Sequence, residues 1–218
     1  MKKQTAILHS NHWIIQHIIL KRLFDIIFSF FSILFLSPLF LIIMIGIKLS
    51  SKGPVIFRQV RLGRGGKTFE CLKFRTMVQN ADQLLDGLLA QHPFLKAEWT
   101  HHQKLKSDPR IFWFGSFLRK TSLDELPQFW NVLKGDLSVV GPRPYMESQK
   151  KDLEIYAYKI LSVRPGITGL WQTSGRSSLS FKKRLELDAK YVDRRSFWYD
   201  LTLILKTIPS ILSSKHAC

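Results

Sequence analysis

Leu23–Ile47 is a run of 25 residues in which Asp25 is the single charge. Wound as a helix it would measure roughly 37 Å, more than a hydrocarbon core of about 30 Å. It is too long for the apolar region of a signal peptide, and no small-residue cleavage site follows it. A retained membrane segment is therefore the first constraint on the fold. Ser37-Pro38 falls near its middle, where proline removes a backbone donor and kinks a helix. Both flanks are basic, with Lys2, Lys3, Lys21 and Arg22 before the run and Lys48, Lys52, Arg58, Arg61, Arg64 and Lys67 after it. The preference of basic flanks for the cytoplasm then gives no orientation for a span. A helix that breaks at Ser37-Pro38, enters one leaflet and returns satisfies both flanks, and this re-entrant hairpin is the favoured reading. The alternative is a kinked transmembrane helix, which would put residues 1–22 on the far side.

Charge narrows the partners. Lys and Arg number 33 against 16 Asp and Glu, a formal net charge of +17. That implies an anionic partner: nucleic acid, an anionic lipid surface or a phosphorylated substrate. The two cysteines, Cys71 and Cys218, form no disulfide framework, which points to a reduced, cytosol-facing chain. Residues 1–22 read as a short interfacial helix or a tail, and His9, His12 and His17 have no convincing metal-ligand spacing.

After Gly53-Pro54, Val55–Arg61 alternates as a strand, Leu62–Lys67 reads as a turn and Thr68–Phe74 as the returning strand of a β-hairpin. Lys73 and Arg75 lie at its end. Asn80–Lys106 has helical apolar spacing that His92-Pro93 divides in two. Ser148–Leu161 reads as an amphipathic helix. Ile167–Arg176 is a glycine-rich loop with Trp171 and Arg176, Ser180–Val192 a mixed-charge helix, and Phe197–Leu212 an apolar helix lying in the plane of an interface.

Leu118–Pro144, LRKTSLDELPQFWNVLKGDLSVVGPRP, organises the rest. Between Pro109 and Gly135 the only carboxylates are the neighbours Asp124 and Glu125, flanked by Arg119 and Lys120, Lys134 and, in a Gly-Pro-Arg-Pro turn, Arg143. Ser122-x-x-Glu125 has capping-box spacing, Pro127 suits a first helical turn, and Gly135 suits a helix stop. A helix from about Thr121–Asp124 to Lys134 would set both carboxylates at its positive end and favour their ionised form. An ionised Asp among cations serves as a nucleophile toward phosphorus or as a metal ligand. The bland alternative is a pair of acids that only cap a helix. The other familiar chemistries lack their residues: there is no zinc-type Cys/His spacing, no G-x-S-x-G and no phosphate-loop order of strand, glycine loop and helix. Neighbouring carboxylates also cannot oppose each other across a glycosidic bond.

Taken together, KRLFDI with Ser37-Pro38, FECLKFRTM, the Leu118–Pro144 stretch, RPGITGLWQTSGR, LDAKYV and DLTLILKTI resemble the bacterial sugar transferase family, the monotopic phosphoglycosyl transferases. The resemblance covers about residues 20–212 and looks closest to the small hexose-1-phosphate transferases that start exopolysaccharide synthesis. It implies transfer of a sugar 1-phosphate from a UDP-hexose to undecaprenyl phosphate with release of UMP. Asp124 would be the nucleophile, forming an aspartyl phospho-sugar. Glu125, with Asp124, would hold Mg²⁺ on the diphosphate. Arg143 would bind phosphate, supported by Arg119, Lys73 and Arg75, with Arg176 near the nucleotide or phosphate.

The expected fold is α+β, mainly α. A re-entrant membrane helix hairpin (23–47), after a basic segment (1–22), anchors a small cytosolic or interfacial catalytic domain (48–218) with a β-hairpin and interfacial amphipathic helices. The expected location is the bacterial inner membrane, cytosolic face, with anionic lipid as a partner, no nucleic acid, and room for a homodimer. The rival reading is a non-enzymatic basic membrane adaptor that binds anionic lipid or nucleic acid.

Overall fold

A computed structural model describes residues 2–102, 105, 107–175 and 179–212. Helix α1 spans Lys2–Ser50 and contains the whole apolar run. The helix continues without interruption through Ser37-Pro38, where the sequence predicts a break. Proline cannot donate to the carbonyl four residues back, and the Ser37 hydroxyl takes that carbonyl instead, donating to Leu34 O at 2.8 Å. The Ser-Pro pair therefore repairs the bond that the proline removes.

One stripe of α1 is buried against the rest of the chain: Asp25 and Ser29 toward one end, Ile43 and Ile47 toward the other. Spacings of four residues within each pair put them on one helical face. The opposite face leaves Leu23, Ile27, Phe30, Phe31, Phe35, Leu41, Ile42 and Ile45 exposed. The N-terminal end of the stripe docks through polar groups. Lys21 Nζ donates to Asp200 Oδ2 at 2.5 Å and to Val140 O at 3.0 Å. Arg22 donates to Val132 O at 2.7 Å and Leu133 O at 2.9 Å, carbonyls in the last turn of a later helix, where Val132 O also accepts from Gly135 N. Asp25 accepts from Val139 N at 3.0 Å. The other end docks by packing: Ile43 and Ile47 join Phe74 and Leu118 in a cluster edged by Phe40, Phe112 and Phe114.

Strands β1 (Ile56–Leu62) and β2 (Thr68–Phe74) form the expected antiparallel hairpin, with Gln59 opposite Cys71 and Phe57 opposite Lys73. Residues opposite one another share a face, so Phe57, Gln59, Arg61, Cys71 and Lys73 lie on the same side. Helices α2 (Ala81–Gln91) and α3 (Pro93–His102) divide at His92-Pro93 as the sequence predicts. Helix α4 is Trp113–Lys120, α5 is Gln128–Lys134, and β3 (Ser138–Val140) follows. Gly135, at φ 94°, is the left-handed stop of α5. β4 (Gly166–Thr168) pairs parallel with β3.

The predicted helix over Ser148–Leu161 is instead two 3₁₀ turns, Glu147–Gln149 and Lys151–Tyr156, followed by a single α turn, α6 (Ala157–Ile160). The break is at Glu154, whose φ of 47° is incompatible with a right-handed helix. It allows Leu153 and Ile160 to enter the same core cluster while Ile155 and Tyr158 stay exposed. Part of the predicted glycine-rich loop becomes β4 and the short helix α7 (Leu170–Thr173). Helix α8 (Phe181–Arg194) begins on Ser180, whose hydroxyl accepts from Lys183 N. In α9 (Phe197–Leu212), Asp200 and Leu203 are buried while Trp198, Leu205 and Ile208 are exposed, the predicted two-faced pattern. The chain is thus mainly helical, with two small sheets.

Candidate active site

The carboxylate pair arrives on a tighter element than the sequence suggests. Helix α4 ends near Thr121, Ser122 turns left-handed at φ 57°, and Leu123–Glu125 forms one 3₁₀ turn. Ser122 makes no side-chain cap, so the expected capping box is absent, and α5 starts only after Pro127. Bonds from Glu125 N to Ser122 O and Leu126 N to Leu123 O close the turn with i→i+3 spacing. Asp124 and Glu125 are therefore offered by a bend between two helices, not by the first turn of one.

Their electrostatics diverge. Burial, then the neighbouring Glu125 charge, pushes the Asp124 carboxyl up from 3.8 to about 6, against opposing pulls from Lys73 and Arg119. The helix-end argument predicts easier ionisation for both, and at Asp124 burial overrides it. Burial also acts to raise Glu125, but the Lys73 ammonium, 2.7 Å from Oε1, outweighs it and holds Glu125 below the usual range.

Arg61, Cys71, Lys73, Glu125, Gln128, Arg143, Pro144, Gly166, Ile167 and Gln172 line a cleft of about 30 Å³. Lys73 and Arg143 are thus brought to Glu125 as the sequence predicts. Arg119 sits to one side, donating from Nε to Thr76 Oγ1 at 2.9 Å, and its charge reaches Asp124. Arg75 is turned elsewhere. It is buried and donates to Pro54 O, Ser51 O, Ser51 Oγ and Met77 O, tying the hairpin to the chain just after α1. Strand alternation ends at Phe74, so Arg75 does not repeat the direction of Lys73. Arg176 lies outside the described residues.

The Arg143 turn is clamped from three sides. Gly141 and Gly166 approach so closely that a Cβ on Gly166 would collide with Gly141 N. Gly166 N donates to Pro142 O at 2.8 Å and Gly141 N to Thr168 O at 2.9 Å. Asp188, fully buried on α8, accepts at Oδ2 from Arg143 N (3.1 Å) and from the Tyr145 hydroxyl (2.7 Å). On the hairpin side, Leu62 N donates to Tyr145 O at 2.8 Å and Arg61 to Pro144 O at 3.2 Å. The Arg143 guanidinium lies over the Trp171 ring, 5.1 Å from its centroid. Sequence reading missed Arg61, Gln128, Tyr145 and Asp188 as parts of the site. The available signals were the i, i+2 alternation of Gln59 and Arg61 with Cys71 and Lys73, and an acid in the otherwise apolar stripe of α8.

Among the described residues no three His, Cys, Asp or Glu side chains gather as a metal cage. Asp124 and Glu125 nevertheless fit Mg²⁺, which is typically held by one or two carboxylates and completed by substrate phosphates.

A cleft that sets Glu125 among several cations, with Asp124 beside it on the same turn, is suited to phosphoryl chemistry, where positioning and charge neutralisation supply most of the catalysis. The same domain carries a long helix with a mostly apolar exposed face, and this combination fits a transferase of phosphorylated substrates. Residues 16–214 match the bacterial sugar transferase family, and the chain belongs to it. It is an enzyme, a phosphoglycosyl transferase. It is 43% identical to the exopolysaccharide production protein ExoY of Sinorhizobium fredii, over 89% of this chain and 86% of that protein. It is 44% identical to the undecaprenyl-phosphate galactose phosphotransferase of Salmonella typhimurium, over 88% of this chain and 40% of the relative. It is 41% identical to the UDP-glucose:undecaprenyl-phosphate glucose-1-phosphate transferase of Klebsiella pneumoniae, over 88% and 40%. The non-enzymatic adaptor reading gives way to this membership.

Proposed function

We propose that this chain transfers a hexose 1-phosphate from a UDP-hexose to undecaprenyl phosphate, as the first membrane step of exopolysaccharide or other surface glycan assembly. In the first half-reaction, an Asp124 carboxylate oxygen attacks the sugar-bearing phosphorus. The phosphoanhydride bond breaks and UMP leaves with the electron pair. In the second, a phosphate oxygen of undecaprenyl phosphate attacks the same phosphorus and Asp124 departs as carboxylate. The observation that carries the reading is Glu125 lining one cleft with Lys73, Arg61 and Arg143, with Asp124 next to it on the same bend and within reach of the Lys73 charge.

Each side chain has a distinct task. Asp124 must be ionised to attack. Lys73 keeps Glu125 ionised. Arg143, fixed by its clamped turn, neutralises phosphate charge. Glu125 with Asp124 would hold Mg²⁺, which when bound offsets charge on the diphosphate. The proposed setting is the cytosolic face of the bacterial inner membrane, with α1 dipping into one leaflet, anionic lipid against the basic flanks, and α9 lying along the interface. The docking of both ends of the apolar run on one domain supports that topology.

The test is a UMP-release assay with UDP-glucose, UDP-galactose and their N-acetyl forms, with and without undecaprenyl phosphate. Radiolabelled sugar should become attached to the protein when the acceptor is withheld, and Asp124→Asn should abolish both labelling and lipid-linked product. Normal turnover by Asp124→Asn would refute the nucleophile, and full turnover in EDTA would refute the metal.

A further inference from the structure

Arg61 was not singled out by its sequence context as part of the chemistry, yet it lines the same cleft as Lys73, Glu125 and Arg143 and is only 8% exposed. Its hydrogen-bond partners are neutral. Nε and Nη2 donate to Gln59 Oε1 at 3.2 and 2.5 Å, and Nη1 donates to Pro144 O at 3.2 Å. Of the cations lining the cleft, Lys73 is committed to Glu125. Neither Arg61 nor Arg143 forms an ion pair among the described residues. Asp188, behind Arg143, binds that residue's backbone N–H and not its guanidinium.

The buried Arg61 and the half-buried Arg143 therefore share one cleft without a carboxylate paired to either guanidinium. Such an arrangement is unfavourable in an isolated protein, because the ions lose water while the nearby Glu125 is already paired with Lys73. Burial and the Arg143 charge accordingly lower the Arg61 pKa to about 10. Bracing Pro144 does not require a charge, since an amide or hydroxyl donor would serve. What does require two planar, multi-donor cations at one point is a phosphate group, which they can grip bidentately.

We propose that Arg61 and Arg143 together form an anion subsite that binds a substrate phosphate, with Gln59 and Pro144 aiming the Arg61 fork. The inference rests on the transferase reading for its two phosphate sources, the diphosphate of the nucleotide donor and the phosphate of the lipid acceptor. Displacement at one phosphorus by Asp124, and then displacement of Asp124, both run in line. UMP thus leaves from the side opposite the carboxylate, and the lipid phosphate enters from that side. One subsite serves both in turn.

The experiment compares the full-length wild type with Arg61→Met and Arg61→Lys in detergent or nanodiscs. UMP and inorganic pyrophosphate should raise the wild-type melting temperature. Arg61→Met, relieved of an uncompensated buried charge, should melt no lower than wild type but lose at least nine-tenths of that ligand-induced shift. KM for the UDP-hexose and for undecaprenyl phosphate should each rise at least tenfold, and UMP should compete with the lipid acceptor in the wild type. A rise confined to one KM still supports the subsite and assigns it to that substrate. If Arg61→Met does not fold, Arg61→Lys, which keeps the charge without the fork, should show a threefold to tenfold rise at wild-type melting temperature. Unchanged ligand shifts and both KM values within twofold of wild type, in whichever variant folds, would overturn the proposal. A wild type that binds pyrophosphate through Arg61 but never releases UMP would leave the subsite standing and remove the transferase reading.

Discussion

Asp124 carries the clearest pH signature. Its carboxyl is pushed up to about 6, chiefly by burial, and in the proposed mechanism only the ionised form attacks. Covalent labelling per unit of donor should therefore fall tenfold per pH unit below about 6 and level off above it, read as kcat/KM of the free enzyme in the labelling half-reaction. Asp188 predicts a change in stability instead. Burial raises it from 3.8 to about 7 although Tyr145, Arg143 N–H and the Arg143 charge act to lower it. A folded-state pKa above the unfolded value means that the native state holds an extra proton between the two. The stability that Asp188 contributes is then greatest below pH 3.8 and is lost as pH rises to about 7. Asp188→Asn should flatten the melting temperature against pH across that window. At this scale the sequence disclosed whichever residues are unusual in themselves: an isolated Asp-Glu pair, and an Arg held in a Gly-Pro turn. Arg61 looked like one more basic flank residue, because its role depends on a cross-strand register that brings it beside Cys71 and Lys73. Arg75 looked like a partner of Lys73, but it falls just past the strand and spends its donors on Pro54 and Ser51.

Between elements, the decisive joint is α1 against β3, α5 and α9. Lys21 reaches Asp200, Asp200 accepts from the Tyr191 hydroxyl at 2.7 Å, and both Lys21 and Tyr191 converge on Val140 O. The Lys21 and Asp200 side chains are 18% and 4% exposed, so removing one partner strands a buried charge. Lys21→Met should destabilise the protein by about 3 kcal/mol in chemical denaturation, and adding Asp200→Asn should restore much of the loss. The KRLFD motif was legible as a resemblance, but its physical purpose was not, because its partners lie 110 or more residues away. The hairpin and the α2–α3 break were readable from local rules, alternation and an X-Pro step. The broken stretch after Met146 was not. Its apolar spacing suits a helix, and the φ of Glu154 answers to tertiary packing that presents Leu153 and Ile160 to one core.

For the molecule as a whole, the two ends of the apolar run constrain its relation to the bilayer more than its length does. Residues 19–50 are long and apolar enough to cross a membrane, with a mean hydropathy of 2.6 over an 18-residue window. A crossing would put the Lys21–Asp25 end and the Ile43–Ile47 end on opposite sides. Yet the first end bonds to Val132, Val139 and Asp200, and the second packs on Phe74 and Leu118, all in the same folded unit. Pulling either end away would expose a buried ion pair or an apolar cluster, each worth several kcal/mol. In the proposed topology the exposed row of Phe30, Phe31, Phe35, Ile42 and Ile45 on the far face would enter the lipid sideways. In a background with Cys71 and Cys218 replaced by Ser, single cysteines at Gln4 and Lys52 should react with an impermeant maleimide only in inverted vesicles or after permeabilisation. Both should do so at comparable rates, whereas a cysteine at Phe35 should resist labelling until detergent is added. Labelling of Gln4→Cys from the periplasmic side in intact cells, with Lys52→Cys silent there, would mean that the helix crosses the bilayer and that the joint at Lys21 is not made in the membrane.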